Sequence, residues 1–165
     1  MSVAKVPGRP VTRPGTRGKR VRKAENVTRP PAGHRTLPHT ADVQIEAWAP
    51  TRDECLRQAV LGSVEMFLDT AGAQPTGAHT FRVDADDEQR LVAVLEEIVY
   101  ELDTTGTVPV QTTVTSDDTG CDLRFDTVEA RTLPQVGAAP KGVSLHQLRF
   151  AGTEDGWSCL VTWDV

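Results

Sequence analysis

The chain has 165 residues, of which 18 are basic and 23 acidic, giving a formal net charge of −5. No apolar run approaches the ~20 residues of a membrane-spanning helix and no secretory signal is visible, so we expect a cytoplasmic protein without a membrane partner. Three widely spaced cysteines exclude a disulfide framework or a paired-thiolate metal site.

The charge is divided sharply along the chain. Residues 1–35 carry ten Lys or Arg and one acid, whereas the other 130 residues carry 8 bases and 22 acids. Residues 1–34 contain no Leu, Ile, Phe, Tyr or Trp, so they cannot bury enough apolar surface to fold and are predicted to be a disordered basic tail. This tail is either a solvated extension or a basic arm that binds RNA. Its positive charge is densest over Arg17–Lys23, and nothing in it predicts specificity for DNA.

Residues 35–165 are predicted to form one folded domain. Val43–Ala49 alternates with period two and predicts a strand, which Pro50 ends. Thr51 and Glu54 form a capping box that opens an amphipathic helix reaching Leu68. A second strand follows around residues 81–85.

A second helix begins at Asp86, which can cap it with Gln89 three positions later. Four more strands are predicted after it, at residues 110–115, 123–128, 143–150 and 157–165. The order β-α-β-α-β-β-β-β predicts an α+β fold, a mainly antiparallel sheet with two helices packed on one face.

Three acids occupy positions where chemistry is possible. Asp42 precedes the first predicted strand, Asp86 stands where a strand becomes a helix, and Asp164 ends the last strand. Each also has a purely structural interpretation, as a turn former, a helix cap or a solvated residue. If the three carboxylates met they would repel one another, and a hard cation (Ca²⁺, Mg²⁺ or Mn²⁺) would be the usual remedy.

Motifs for other chemistry are absent. The chain has no phosphate-binding loop, dinucleotide fingerprint, zinc-protease motif or nucleophile elbow. Ser144 and His146 fall on the same face of a predicted strand, but a lone Ser-x-His is weak support for hydrolysis. His146 and Lys141 are interpreted as ordinary strand and loop residues, with supporting roles near an acidic site as the alternative.

Four collinear segments resemble the archease family. They are His39–Val43 with the helix after it, Val83–Asp86 with the Leu91–Tyr100 helix, Lys141–His146, and the closing Trp163–Val165. The resemblance implies a non-enzymatic accessory protein that activates an RtcB-type RNA-splicing ligase, assisting guanylylation and multiple turnover in tRNA splicing or RNA repair. It also implies that the family's metal-binding acids correspond to Asp42, Asp86 and Asp164. Aligning the family motif on Leu95 and Tyr100 selects Asp86, whereas aligning it on Val83 selects Asp87 instead.

Two other functions stay open from the residues alone. One is a small metal-dependent phosphoesterase that uses the same acids. The other is an RNA-binding or chaperone-like module that acts through the basic tail. His39 and Thr40 are either polar groups close to the site or only the turn that orients Asp42.

Overall fold

The structure, a computed structural model, describes residues 29–37 and 42–165. Most of the predicted basic tail, together with His39 and Thr40, therefore lies outside the described residues. In chain order the elements are β1 (Gly33–Leu37), β2 (Val43–Ala49), α1 (Arg52–Glu65), β3 (Gly77–Val83), α2 (Asp87–Thr104), β4 (Thr107–Ser116), β5 (Cys121–Glu129), a short 3-10 helix (Ala130–Thr132), β6 (Gly142–Thr153) and β7 (Gly156–Asp164).

Two antiparallel sheets enclose the two helices. One sheet has the strand order β1-β2-β7-β6 and the other has the order β3-β5-β4. Both α1 and α2 contact strands of both sheets. The predicted α+β class and the order of the later elements are confirmed, but the strands form two sheets and β1 is an additional strand. The helices therefore contact sheet strands on two sides, whereas the single predicted sheet would have covered them on one side only.

Both helices begin where their capping residues predict. The Thr51 hydroxyl accepts a hydrogen bond from the Glu54 backbone N–H at 3.2 Å, and an Asp86 carboxylate oxygen accepts one from Gln89 N–H at 3.2 Å. These contacts satisfy amide groups that have no partner inside the first helical turn. Helix α1 ends at Glu65, earlier than predicted, because Leu68 bridges to Gln135 instead of continuing the helix.

The core lies between the helices and the sheets. Its largest side chain, Trp163 on β7, is fully buried and donates its indole N–H to the Ser63 hydroxyl of α1 at 3.0 Å. Ser63 is itself fully buried, so the two groups satisfy each other away from water. Cys55, Cys121 and Cys159 are buried free thiols, as their spacing predicts.

Contacts with the folded domain already occur before the predicted boundary at residue 35. The Arg29 guanidinium lies 3.4 Å from the centre of the Trp48 ring, and the Trp48 indole N–H donates to the Pro30 carbonyl at 2.7 Å. Arg29 also pairs with Glu46 at 3.2 Å. Residues 29–34, which the sequence places in the disordered tail, are therefore held against β2 by a cation–π contact and an ion pair.

A histidine joins the additional strand β1 to helix α1. The His34 ring nitrogens lie 2.8 Å from Gln58 Oε1 and 2.6 Å from Glu65 Oε2. The hydrogen bond to Glu65 raises the pKa of His34 above its usual value, and the same bond lowers the pKa of Glu65. This contact holds β1 against α1, although β1 lacks the alternating apolar side chains that usually attach a strand to the core.

Strand β6 is irregular at its middle. Its pairing with β7 shifts register between Ser144 and Arg149, and Gln147 has φ of 58°. Leu145 in this stretch is 71% exposed. No helix of residues 29–37 and 42–165 is long and apolar enough to cross a membrane.

Candidate functional site

Two of the three predicted aspartates flank the same terminal strand pair at one end of the four-stranded sheet. Strands β2 and β7 are antiparallel, and their last paired positions at this end are Val43 and Trp163. Asp42 directly precedes this pair and Asp164 directly follows it, so their Cβ atoms are expected about 5 Å apart. Asp42 is half-buried and Asp164 is exposed. The register of two strands that are distant in sequence thus predicts two neighbouring carboxylates at a solvent-accessible edge.

Asp86 stands at the start of α2, beside the contact of that helix with α1. Its neighbour Asp87 pairs with Arg52, the first residue of α1, at 3.1 Å. Trp163, beside Asp164, is bonded to Ser63, eleven residues further along the same helix and thus about 16 Å away at 1.5 Å per residue. The carboxylate of Asp86 is engaged in capping α2. Within residues 29–37 and 42–165, Asp42, Asp164 and either Asp86 or Asp87 do not form a group whose carboxylate oxygens all lie within 4.8 Å of one another, and a three-aspartate metal site stays a prediction.

The residues of β6 that the sequence singled out surround this pair without forming a catalytic set. The Lys141 backbone N–H donates to the Asp164 carbonyl at 2.7 Å, so β6 begins beside Asp164. The Ser144 hydroxyl accepts a hydrogen bond from the His146 backbone N–H at 3.3 Å, and the His146 side chain is exposed. Among the described residues Ser144 and His146 thus lack the hydroxyl–imidazole bond that a nucleophile needs.

Acids elsewhere on the surface are compensated by arginine. Arg82 pairs with Asp84, Asp117 and Asp122 at 2.7–3.2 Å. Backbone N–H groups of Thr119 and Gly120 together with Arg82 hold the pKa of Asp117 well below its usual range. By contrast, none of the ion pairs within the described part of the chain includes Asp42 or Asp164.

A groove separates α2 from the irregular part of β6. It has a volume of about 640 Å³, with an apolar floor that includes Leu145 and Leu148 and a rim that includes Asp84, Glu88 and Glu96. None of the residues from the described part of the chain that line it is basic. The β6 segment that resembles the archease pattern therefore contributes an exposed leucine to an acidic-rimmed apolar groove.

A cluster of one histidine and two glutamates was missed by the sequence analysis. His79 on β3 lies 2.7 Å from Glu97 and 3.8 Å from Glu101, both on α2. The four-residue spacing of the two glutamates was visible in the sequence, since it places them on one helical face. The approach of His79 to that face depends on tertiary packing and has no local signal.

Comparison with known proteins identifies the family of this chain. Residues 34–165 match the archease protein family (MTH1598/TM1083). The chain belongs to the archease family. It is 56% identical over 135 residues to a probable protein archease of Mycobacterium tuberculosis, a match covering 81% of this chain and 75% of that one. It is 27% identical over 137 residues to protein archease of Methanosarcina barkeri, covering 78% and 93% of the two chains.

Two solved structures have the archease fold seen here. A Methanobacterium thermoautotrophicum protein matches with a TM-score of 0.63 and 18% identity over 81% of this chain and 99% of its own. A Thermotoga maritima archease described as a possible chaperone matches with a TM-score of 0.57 and 18% identity over 79% and 96%. At this identity the likeness concerns the fold, and it confirms two helices enclosed by antiparallel sheets as the archease arrangement.

Proposed function

We propose that this archease is a metal-binding accessory protein that activates an RtcB-type RNA-splicing ligase in the cytoplasm. It would assist guanylylation and multiple turnover of the ligase in tRNA splicing or RNA repair, without turnover of its own. The observation that supports the proposal is the position of Asp42 and Asp164 on either side of the terminal Val43–Trp163 pair, at an accessible sheet edge of an archease-family chain.

The pair is suited to a hard divalent cation. Like charges directly opposite each other on neighbouring strands are destabilising, and no arginine or lysine side chain of the described residues pairs with either carboxylate. A cation with oxygen ligands would offset this repulsion, and carboxylate-only donors favour Ca²⁺, Mg²⁺ or Mn²⁺ over Zn²⁺. Asp42 and Asp164 would hold such an ion, whose charge would be available to order phosphate groups at the partner's site.

The reaction itself is assigned to the ligase. Joining RNA ends through a guanylylated intermediate requires a nucleophile that accepts the nucleotidyl group. The Ser144 hydroxyl accepts a backbone N–H, and Lys141 contributes its backbone rather than its ammonium group to the contact with Asp164. Asp42 and Asp164 can bind, orient and neutralise charge, which are functions that act on a partner in trans.

The decisive experiment is multiple-turnover RNA ligation by an RtcB-type ligase with and without this protein. Stimulation should fall at least tenfold for Asp42→Ala and for Asp164→Ala, because each variant removes one of the two opposed carboxylates. Equal stimulation by Asp42→Ala and the parent would overturn the proposed mechanism.

Asp86 offers a matched control. Asp86→Asn retains a side-chain oxygen for the Gln89 N–H, so the helix cap and the fold should persist. If only the opposed pair holds the ion, Asp86→Asn should stimulate ligation as the parent does. A loss equal to that of Asp42→Ala would instead restore the three-aspartate prediction.

Two further reactions separate the alternatives. Incubation with Mn²⁺ and RNA carrying a phosphodiester or cyclic-phosphate end, without ligase, should yield no product, whereas a phosphoesterase would form it. Deletion of residues 1–28 should leave stimulation intact and spares the contacts of Arg29 and Pro30 with Trp48. Complete loss of activity in that deletion would assign the function to the basic tail.

A further inference from the structure

We propose that His79, Glu97 and Glu101 form a second cation site, selective for zinc-like metals, which connects β3 to α2. One side-chain donor atom from each residue lies within 4.8 Å of the other two, and no other set of three or more His, Cys, Asp or Glu does so within residues 29–37 and 42–165. The site differs in place and in donor chemistry from the Asp42–Asp164 pair.

The position of the group follows from the packing of α2. Glu97 and Glu101 are one helical turn apart, so both side chains point to the same side of α2. His79 approaches from β3, stacked on Phe81 with ring centres 5.2 Å apart. The imidazole therefore lies between the two carboxylates, with its Nε2 toward Glu97 and its Nδ1 toward Glu101.

Glu101 is held with one oxygen facing the histidine. Its side chain is 9% exposed, and its Oε2 accepts hydrogen bonds from the Thr105 and Thr107 hydroxyls at 3.3 and 3.2 Å. Its Oε1 lies 3.8 Å from His79 Nδ1, beyond hydrogen-bond distance, and accepts no hydrogen bond from the described residues. Partners that orient a carboxylate in this way are typical of metal ligands.

The charges of the group call for a cation. Two glutamates four residues apart on a helix repel each other, and a protonated His79 supplies one positive charge against their two negative ones. The group also lies in the C-terminal half of α2, whose last turn has no basic residue. Cations are favoured at that end by the helix dipole. A divalent ion would neutralise both carboxylates and leave the imidazole neutral.

The donor set indicates which metal binds. One imidazole nitrogen with two carboxylate oxygens matches Zn²⁺ and related first-row metals such as Co²⁺ and Ni²⁺, whereas Ca²⁺ and Mg²⁺ prefer oxygen alone. The three donors converge on one ion only after a side-chain rotation, because His79 contacts Glu97 through Nε2 and Glu101 through Nδ1. Tetrahedral bonds of about 2.0–2.2 Å to zinc place donor atoms roughly 3.4 Å apart, so binding through Nδ1 beside Glu101 requires the Glu97 carboxylate to rotate toward that nitrogen. Exposed fractions of 30% for His79 and 24% for Glu97 leave water access to the remaining coordination position.

Zinc titration of the full chain tests the site. Calorimetry should give one zinc per chain whose affinity falls at least tenfold in His79→Ala and Glu97→Gln. Zinc should also raise the thermal midpoint of the parent and not that of these variants. Glu96→Gln, an exposed neighbour on α2, and Asp42→Ala should bind zinc as the parent does.

The outcome that overturns the proposal is unchanged zinc affinity in both site variants, or no zinc binding by the parent at millimolar metal. Thermal midpoints measured without zinc show whether each variant is folded. If His79→Ala does not fold, Glu97→Gln, which keeps the shape of the side chain, decides alone. Ligation assays are not needed for either result, so this proposal stands or falls apart from the ligase function.

Discussion

The hydrogen bond between Ser63 and Trp163 is the contact through which helix α1 holds the strand end that carries Asp164. Both side chains are fully buried, and the indole N–H has the Ser63 hydroxyl as its partner. We predict that Ser63→Ala destabilises the protein, because it leaves that N–H buried without an acceptor and no water can replace the hydroxyl in a packed core.

The expected cost follows from the chemistry of the lost acceptor. A buried donor left unsatisfied costs about 1–3 kcal/mol, so about 2 kcal/mol is the central expectation. With a urea dependence of about 2 kcal/mol per molar, typical of small domains, the unfolding midpoint should fall by about 1 M. In a Trp163→Phe background the indole N–H is gone, and Ser63→Ala should then cost less than about 1 kcal/mol.

Urea unfolding of the parent, both single variants and the double variant measures this coupling. The reasoning predicts a coupling free energy of about 1–2 kcal/mol between the two positions. An equal cost of Ser63→Ala in both backgrounds would show that the lost energy comes from packing and not from the hydrogen bond.

Two further predictions concern the contacts of β1 and of the β3–β5 end. The raised pKa of His34 stabilises the fold fully below the unfolded value of 6.5, and this stabilisation is lost as pH rises through the raised pKa. The lowered pKa of Glu65 stabilises the fold above the unfolded value of 4.5. The pair should therefore contribute most to the free energy of unfolding between these two pH values. The free energies of unfolding of the parent and of His34→Gln, measured by urea unfolding, should differ by about 0.5–1 kcal/mol in that window. The difference should vanish as pH rises through the raised pKa of His34, and a difference that stays constant with pH would contradict this. Gly120→Ala should destabilise by about 1–3 kcal/mol, since its Cβ would meet the Val83 carbonyl oxygen, whereas Gly142→Ala has open space and should be neutral by thermal unfolding.

Local signals predicted the helices well. The caps at Thr51 and Asp86 are direct interactions between neighbours in sequence, so the residue types alone indicated them. Strand β1 was missed because its sequence, Gly-His-Arg-Thr-Leu, has no apolar alternation. Its stability depends on long-range ion pairs such as that of Arg35 with Glu46, which no local pattern reveals.

The site was predictable only in part, for a related reason. Asp42 and Asp164 were singled out as residues beside strand ends, but their opposition depends on the pairing of β2 with β7 across most of the chain. Asp86 was grouped with them by its position where a strand becomes a helix and by family resemblance, although its local chemistry already explained it as a cap. The approach of His79 to α2 likewise requires knowledge of which sheet covers the helix.

The register break in β6 has a consequence for how the protein behaves in concentrated solution. β6 is a twelve-residue strand at the edge of its sheet, and a long, flat edge is a template on which a second chain can add a strand. The left-handed Gln147 and the shift between Ser144 and Arg149 interrupt the row of hydrogen-bonding groups that such growth needs. The irregularity that opens the groove beside α2 therefore also protects this edge against aggregation.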